Sequence, residues 1–151
     1  MILSLLAGLA SGLRSLTPTA AVAWAAHLGS LDLSHSPLAF LASGLSVGIL
    51  TVLAFGELVF DKLPSTPNRT AALGLSGRLV MGGLSGAALA VATGAALALG
   101  AALGAVGGLV GAFGGYQARS RAVRAYRAPL VIALVEDAIT IGMSVAVIAL
   151  A

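Results

Sequence analysis

Cysteine is absent from this chain, and histidine, aromatic residues and charge are all scarce. Without thiols there can be no disulfide, no thiolate metal site and no cysteine nucleophile. Two histidines, His27 and His35, are too few for a histidine metal cluster. Only 9% of the residues are charged, whereas a soluble domain carries about 25%. The net charge of +3 is no nucleic-acid footprint, because the basic residues gather in two short connections. No histidine stands beside the acids and no nucleophile–base pair is recognisable, so an enzyme is the least favoured class. No cofactor is expected.

What is present is apolar: 59% of the chain is hydrophobic and the mean hydropathy is +1.07. Such a chain is an integral membrane protein. Its first residues lack a basic n-region, and their apolar run exceeds the length of a signal peptide's h-region. Met1 onward is therefore expected to be a retained first span.

The pattern predicts an all-α, polytopic membrane helix bundle in one domain, of about five transmembrane helices. The expected spans are 2–28, 37–63, 67–92, 95–117 and 129–150. Pro18 should break the first of them, since proline removes a helical hydrogen bond. Pro37 and Pro129 are expected to open the second and the last, and Thr66-Pro67 has the look of an N-cap followed by a first-turn proline. From Leu79 to Tyr116 there is no charge at all. As helix that run would measure about 57 Å, too long for one crossing of a ~30 Å core. A turn is expected at Thr93-Gly94, its most polar and flexible point. The segment 118–128 then reads as a basic loop or a helical extension.

Charge predicts the orientation. Lys62, Arg69 and Arg78 flank one connection, and Arg119, Arg121, Arg124 and Arg127 fill another. Five spans put both on one face, cytoplasmic by the positive-inside rule, in the bacterial inner membrane. The N-terminus is then expected inside and the C-terminus outside. Tyr116 and Tyr126 fall near the inner interface and Trp24 near the outer one. Asn68-Arg69-Thr70 matches a glycosylation sequon but falls on the cytoplasmic side. The four arginines read as topological, with anionic lipid head groups as possible contacts.

Against this apolar background the charges within the spans stand out. Arg14 lies about 18 Å along the first helix, near mid-bilayer. There a charge must snorkel, meet a counter-charge or face water. The counter-charges offered are Glu57, Asp61, Glu136 and Asp137. Glu57 and Asp61 share a helical face four residues apart, and Glu136 and Asp137 lie about 10 Å into the last span. Arg78 enters the third span from the same side. Ser15, Thr17 and Thr19 surround the break at Pro18 and can satisfy backbone groups freed by the kink, or contact a substrate. Four acids against Arg14 and Arg78 suggest a protonatable carboxyl or a bound cation. Two readings follow: a polar cavity that binds a solute or relays protons, and an ion-pair network that locks the bundle.

Glycine is abundant. Gly100, Gly104 and Gly108 form one ladder, Gly107, Gly111 and Gly115 a second, and Gly82 and Gly86 a third. Such ladders let helix backbones approach closely, either within one chain or between copies. Gly8 and Gly12 repeat the spacing of Gly111 and Gly115, which would suit inverted repeats, but the acids break that symmetry.

These residues together resemble a family of small bacterial membrane proteins known as domain of unknown function 4126. The resembling segments are Gly12-Leu13-Arg14-Ser15 with Thr17, Gly56-Glu57-Leu58-Val59-Phe60-Asp61-Lys62-Leu63-Pro64 and Pro67-Asn68-Arg69-Thr70. Gly114-Gly115-Tyr116-Gln117-Ala118-Arg119 and Glu136-Asp137 complete the pattern along nearly the whole chain. The resemblance brings no settled activity. It implies that Arg14, Glu57, Asp61, Glu136 and Asp137 belong to one site.

The expected function is a small transporter or channel for an ion or polar solute. The substrate- or ion-binding set is Arg14, Ser15, Thr17, Glu57, Asp61, Arg78, Glu136 and Asp137. Glu57 and Glu136 are expected as carriers, with Asp61 and Asp137 at the cytoplasmic mouth. A single copy is small for a transporter, so a homodimer in contact with membrane lipids is expected. The alternative is a scaffold, or a lipid- or partner-binding protein, whose charges are structural.

Overall fold

The computed structural model describes residues 1–61 and 72–151. Six α-helices account for most of them: α1 (Ile2–Leu13), α2 (Thr17–His27), α3 (Gly44–Phe60), α4 (Ala72–Ala92), α5 (Leu97–Tyr126) and α6 (Pro129–Ala149). One turn of 3-10 helix, Ala39–Ala42, precedes α3. The architecture is a polytopic helical bundle with no strand among the described residues. α4, α5 and α6 are long and apolar enough to cross a membrane, while α1 and α3 are shorter apolar helices.

The first predicted span breaks near Pro18, and the break reverses the chain. Pro18 stands in the first turn of α2, where its missing N–H costs nothing. Its ring would clash with a helical carbonyl at Arg14, four residues earlier, and Arg14 is extended (φ −136°, ψ 115°). The direction of each helix follows from its contacts. α1 runs parallel to α5, since Gly8 faces Gly104 and Gly12 faces Gly108 and Gly111. It runs antiparallel to α4, with Gly8 beside Gly82 and the Gly12 carbonyl beside Arg78. A straight continuation would carry Thr19 beyond the start of α4. Instead the Thr19 hydroxyl meets the Ser85 hydroxyl at 2.9 Å and the Met81 carbonyl at 3.4 Å, so α2 returns alongside α4. α3 runs antiparallel to α2. The Ser15 amide meets Glu57, the Trp24 indole donates to the Thr51 hydroxyl at 3.0 Å, and His27 Nδ1 lies 2.8 Å from the Ala42 carbonyl.

α1 and α2 are therefore a helical hairpin. With 12 and 11 residues they are about 18 and 16 Å long, and neither alone crosses a ~30 Å core. This corrects the expected course of the N-terminus. Met1 lies at the end of the bundle that holds the Thr93-Gly94 turn, not at the end that holds Arg119 to Arg127. The sequence marks the break at Pro18 but not the direction of the helix that follows, which contacts with α3 and α4 set.

Other boundaries follow local chemistry. Gly94 has φ +70° in the expected turn between α4 and α5. Pro129 opens α6 after Arg127 ends α5 in a left-handed conformation (φ 50°). Pro37 does not open α3; it sits in a turn. α3 begins at Gly44 because the Ser43 side chain caps it, accepting from the Ser46 amide at 3.2 Å. α5 absorbs the basic segment as a helical extension and reaches 30 residues. The Thr66-Pro67 start, Lys62, Arg69 and the Asn68 sequon lie outside the described residues.

The bundle packs differently at its two ends. Toward the Thr93-Gly94 end, Leu31, Leu33 and Leu41 fold in over Val22, Ala23 and Leu89 as a buried aliphatic core. Along α1, α4 and α5 the contact is backbone on backbone. A methyl added at Gly82 would stand 2.7 Å from the Gly104 carbonyl oxygen, and one at Gly108 would stand 2.8 Å from that of Arg78. The glycine ladders are thus consumed within the chain. In lipid, where apolar burial between helices gains little, such close approach supplies dispersion instead.

The α2–α3 connection carries one local device. The Asp32 carboxylate accepts from the Ser34 hydroxyl at 2.6 Å and the Ser34 amide at 2.9 Å. These two bonds favour the charged form and hold the carboxyl below its ordinary 3.8. The turn's contribution is complete above that value and is lost as pH falls through the lowered one. NMR titration of Asp32 will show a midpoint below 3.8, and Ser34→Ala will raise it.

Candidate functional site

The tip of the hairpin leaves two helix ends inside the bundle. α1 ends with unsatisfied carbonyls and a negative dipole end, and α2 begins with unsatisfied amides and a positive one. Opposite charges from other helices meet both. Glu57 of α3 accepts from the Ser15 amide at 2.7 Å and the Leu16 amide at 2.9 Å, one oxygen to each. Arg78 of α4 donates from Nε to the Gly12 carbonyl at 3.0 Å and from a terminal nitrogen to the Gly74 carbonyl at 3.0 Å. The carboxylate thus faces the positive end, and the guanidinium faces the negative one.

Arg14 lies between the two ends. It is 0% exposed and is the largest fully buried side chain among the described residues. One terminal nitrogen donates to Asp61, at the foot of α3, and the other pairs with Asp137 of α6. The Asp137 contact is an ion pair without hydrogen-bond alignment, and Arg14 Nε has no acceptor among the described residues. Next to Asp137, Glu136 receives a hydrogen bond from Arg119 of α5 at 3.2 Å. Arg14, Arg78 and Arg119 thus stand among four carboxylates contributed by two helices.

The fold brings the predicted site residues into one region. Arg14 takes the aspartates, and the glutamates go elsewhere. Glu57, expected as a carrier, caps a helix, and Glu136 pairs with Arg119, which the sequence reading treated as topological. Ser15 contributes its amide. Ser15, Thr17 and Thr19 do not mend the break. Glu57 satisfies the Ser15 and Leu16 amides, Thr19 bonds across to α4, and the buried Thr17 hydroxyl has no partner among the described residues. The sequence did hold a signal for Arg119. Carrying the α5 helix through the basic segment sets it on the same helix as the glycine ladders, three residues past Tyr116. Among the described residues no group of three or more His, Cys, Asp or Glu side chains is placed to hold a metal ion.

A bundle of apolar helices with a charged, re-entrant hairpin tip defines a small polytopic membrane protein. The family model described as "Domain of unknown function (DUF4126)" matches residues 1–151, and the chain belongs to that family. No curated protein and no solved structure matches it.

Proposed function

We propose that this chain is a small bacterial inner-membrane transporter or channel for an ion or small polar solute, with the hairpin tip and its surrounding charges as the binding or proton-relay site. The observation that carries this reading is the pair of helix ends meeting inside the bundle. Interrupted helices expose dipole ends and backbone groups at membrane depth, and transporters use such ends to hold ions and charged solutes. Ionisable residues at that depth are costly, and solute or proton pathways are their usual setting.

The chemistry follows from the contacts. Protonating Glu57 removes two charge-assisted hydrogen bonds and loosens the tip from α3. An anion reaching Arg14 competes with Asp61 and Asp137 for its guanidinium; a cation competes with Arg14 for the two carboxylates. Either exchange moves the hairpin relative to α3 and α6. By the positive-inside rule the basic end is cytoplasmic, so Met1 and the end of α6 face outward together. A homodimer fits the small size of one copy.

Two measurements test the proposal. In proteoliposomes Glu57→Gln will keep the folded yield and lose proton- or ion-coupled flux; flux equal to the wild type would overturn it. Because the chain has no cysteine, Ser15→Cys offers a unique thiol at the tip. Labelling from the basic side by a membrane-impermeant reagent is the expected result. A second reading, a non-transporting scaffold, is favoured by the complete burial of Arg14. It predicts no labelling from either side of a folded protein.

A further inference from the structure

A cleft of about 300 Å³ opens between α5 and α6 beside the charged region. Its α5 wall is a stripe of small residues, Gly114, Ala118 and Ala122, spaced four apart. These differ from the glycines of the ladders. A methyl built on Gly114 meets nothing within 4 Å, whereas those on Gly82, Gly86 and Gly104 run into backbone. Gly114 and Ala118 are exposed, and small exposed residues beside bulky ones leave a groove. Ile132, Val135 and Ile139 of α6 form the facing wall. Among the described residues the charged lining groups are Arg119 and Glu136, joined at 3.2 Å.

The cleft is amphipathic along the bundle axis. Arg119 lies seven residues before the end of α5, about 10 Å from that end. Gly114 and Ile139 lie deeper, toward the bundle centre. Arg119 is 25% exposed and gives one terminal nitrogen to Glu136; a guanidinium has five donors, so this bond does not exhaust its capacity. Arg121, Arg124 and Arg127 continue the same basic end. A polar, cationic mouth at the interface above an apolar slot matches a lipid with an anionic head and a hydrocarbon chain.

We propose that the α5–α6 cleft binds one anionic phospholipid, its phosphate on Arg119 and an acyl chain along Gly114 and Ala118. The site stands independently of the transport reading. Glu136 also lines the cleft and repels an anion; its pairing with Arg119 limits that repulsion. Because Glu136 precedes Asp137, a lipid drawing on Arg119 would touch the network that holds Arg14.

Native mass spectrometry of the whole chain, released from detergent with added phosphatidylglycerol or phosphatidylcholine, tests this. The wild type will retain one phosphatidylglycerol more tightly than phosphatidylcholine. Arg119→Gln will weaken that retention about fivefold, the effect of one arginine near an anionic surface. Gly114→Leu, whose Cβ meets nothing within 4 Å and whose longer side chain enters the slot, will abolish the selective lipid while leaving the circular dichroism of the lipid-free protein unchanged. Arg124→Gln, farther along α5, will have the smaller effect. Equal retention of the two lipids, equal effects of Arg119→Gln and Arg124→Gln, or full retention by Gly114→Leu would overturn the proposal. So would a concentration-dependent dimer that Gly114→Leu dissolves, since a second copy would then occupy the cleft.

Discussion

Gly104→Ala will destabilise the bundle by about 3 kcal/mol or more, beyond the usual range for an added core methyl. The new methyl would overlap the Gly82 carbonyl and stand 3.0 Å from the Gly86 Cα. Both obstacles are backbone, so no side chain can rotate away; α4 and α5 must separate. The effect will spread, because a methyl at Gly8 would in turn run into the Gly104 carbonyl, which ties α1 to the same point. Three helices meet there without an intervening side chain. Gly48→Ala is the control, since a methyl at Gly48 in α3 meets nothing within 4 Å. There the usual preference of a helix for alanine over glycine applies, a gain of roughly 0.5–1 kcal/mol. Unfolding of both variants in mixed micelles, followed by circular dichroism, checks the pair. Equal effects would mean that the glycines are composition and not packing.

Arg14→Met will cost about 3–5 kcal/mol, the range for removing one partner of a buried ion pair. It leaves Asp61 and Asp137, whose side chains are only 16% and 11% exposed, without the cation they share. Adding Asp61→Asn and Asp137→Asn to Arg14→Met will recover more than half of the loss, because neutral amides do not repel. That recovery is a coupling within one network and would not arise from independent sites. Unfolding of the single and triple variants measures it. A triple variant as unstable as the sum of its parts would show that the residues are not coupled. The same series separates stability from flux: a triple variant that folds well yet carries no solute would place the charges in function rather than in folding.

The hairpin explains why the charges were legible and their pairing was not. Glu57 and Asp61 share a helical face. They serve different partners because the tip offers two kinds of group at two heights. The Ser15 and Leu16 amides lie opposite Glu57, and the Arg14 side chain lies opposite Asp61. Backbone donors freed by a chain reversal cannot be seen in a hydropathy pattern. Arg119 was missed for a related reason. Four arginines in eleven residues look like an interface signal until the helix is known to continue through them, which turns Arg119 toward Glu136.

The sequence by itself determined the solvent this protein lives in, its helical class and the helix breaks at Pro18, Gly94 and Pro129. Those properties rest on local chemistry: apolar composition, proline without an amide and glycine at positive φ. It also marked the residues that would be costly in lipid and so had to find one another. Only the tertiary structure decided that the chain turns back at Arg14. A proline can kink a helix or end it, and the choice between them is made by distant groups. Glu57 and Arg78 stabilise the two exposed helix ends, and the glycine surfaces of α4 and α5 admit α1 only in a parallel alignment with α5. The direction of the first helix, the side on which Met1 emerges and the partners of each charge all follow from those long-range contacts.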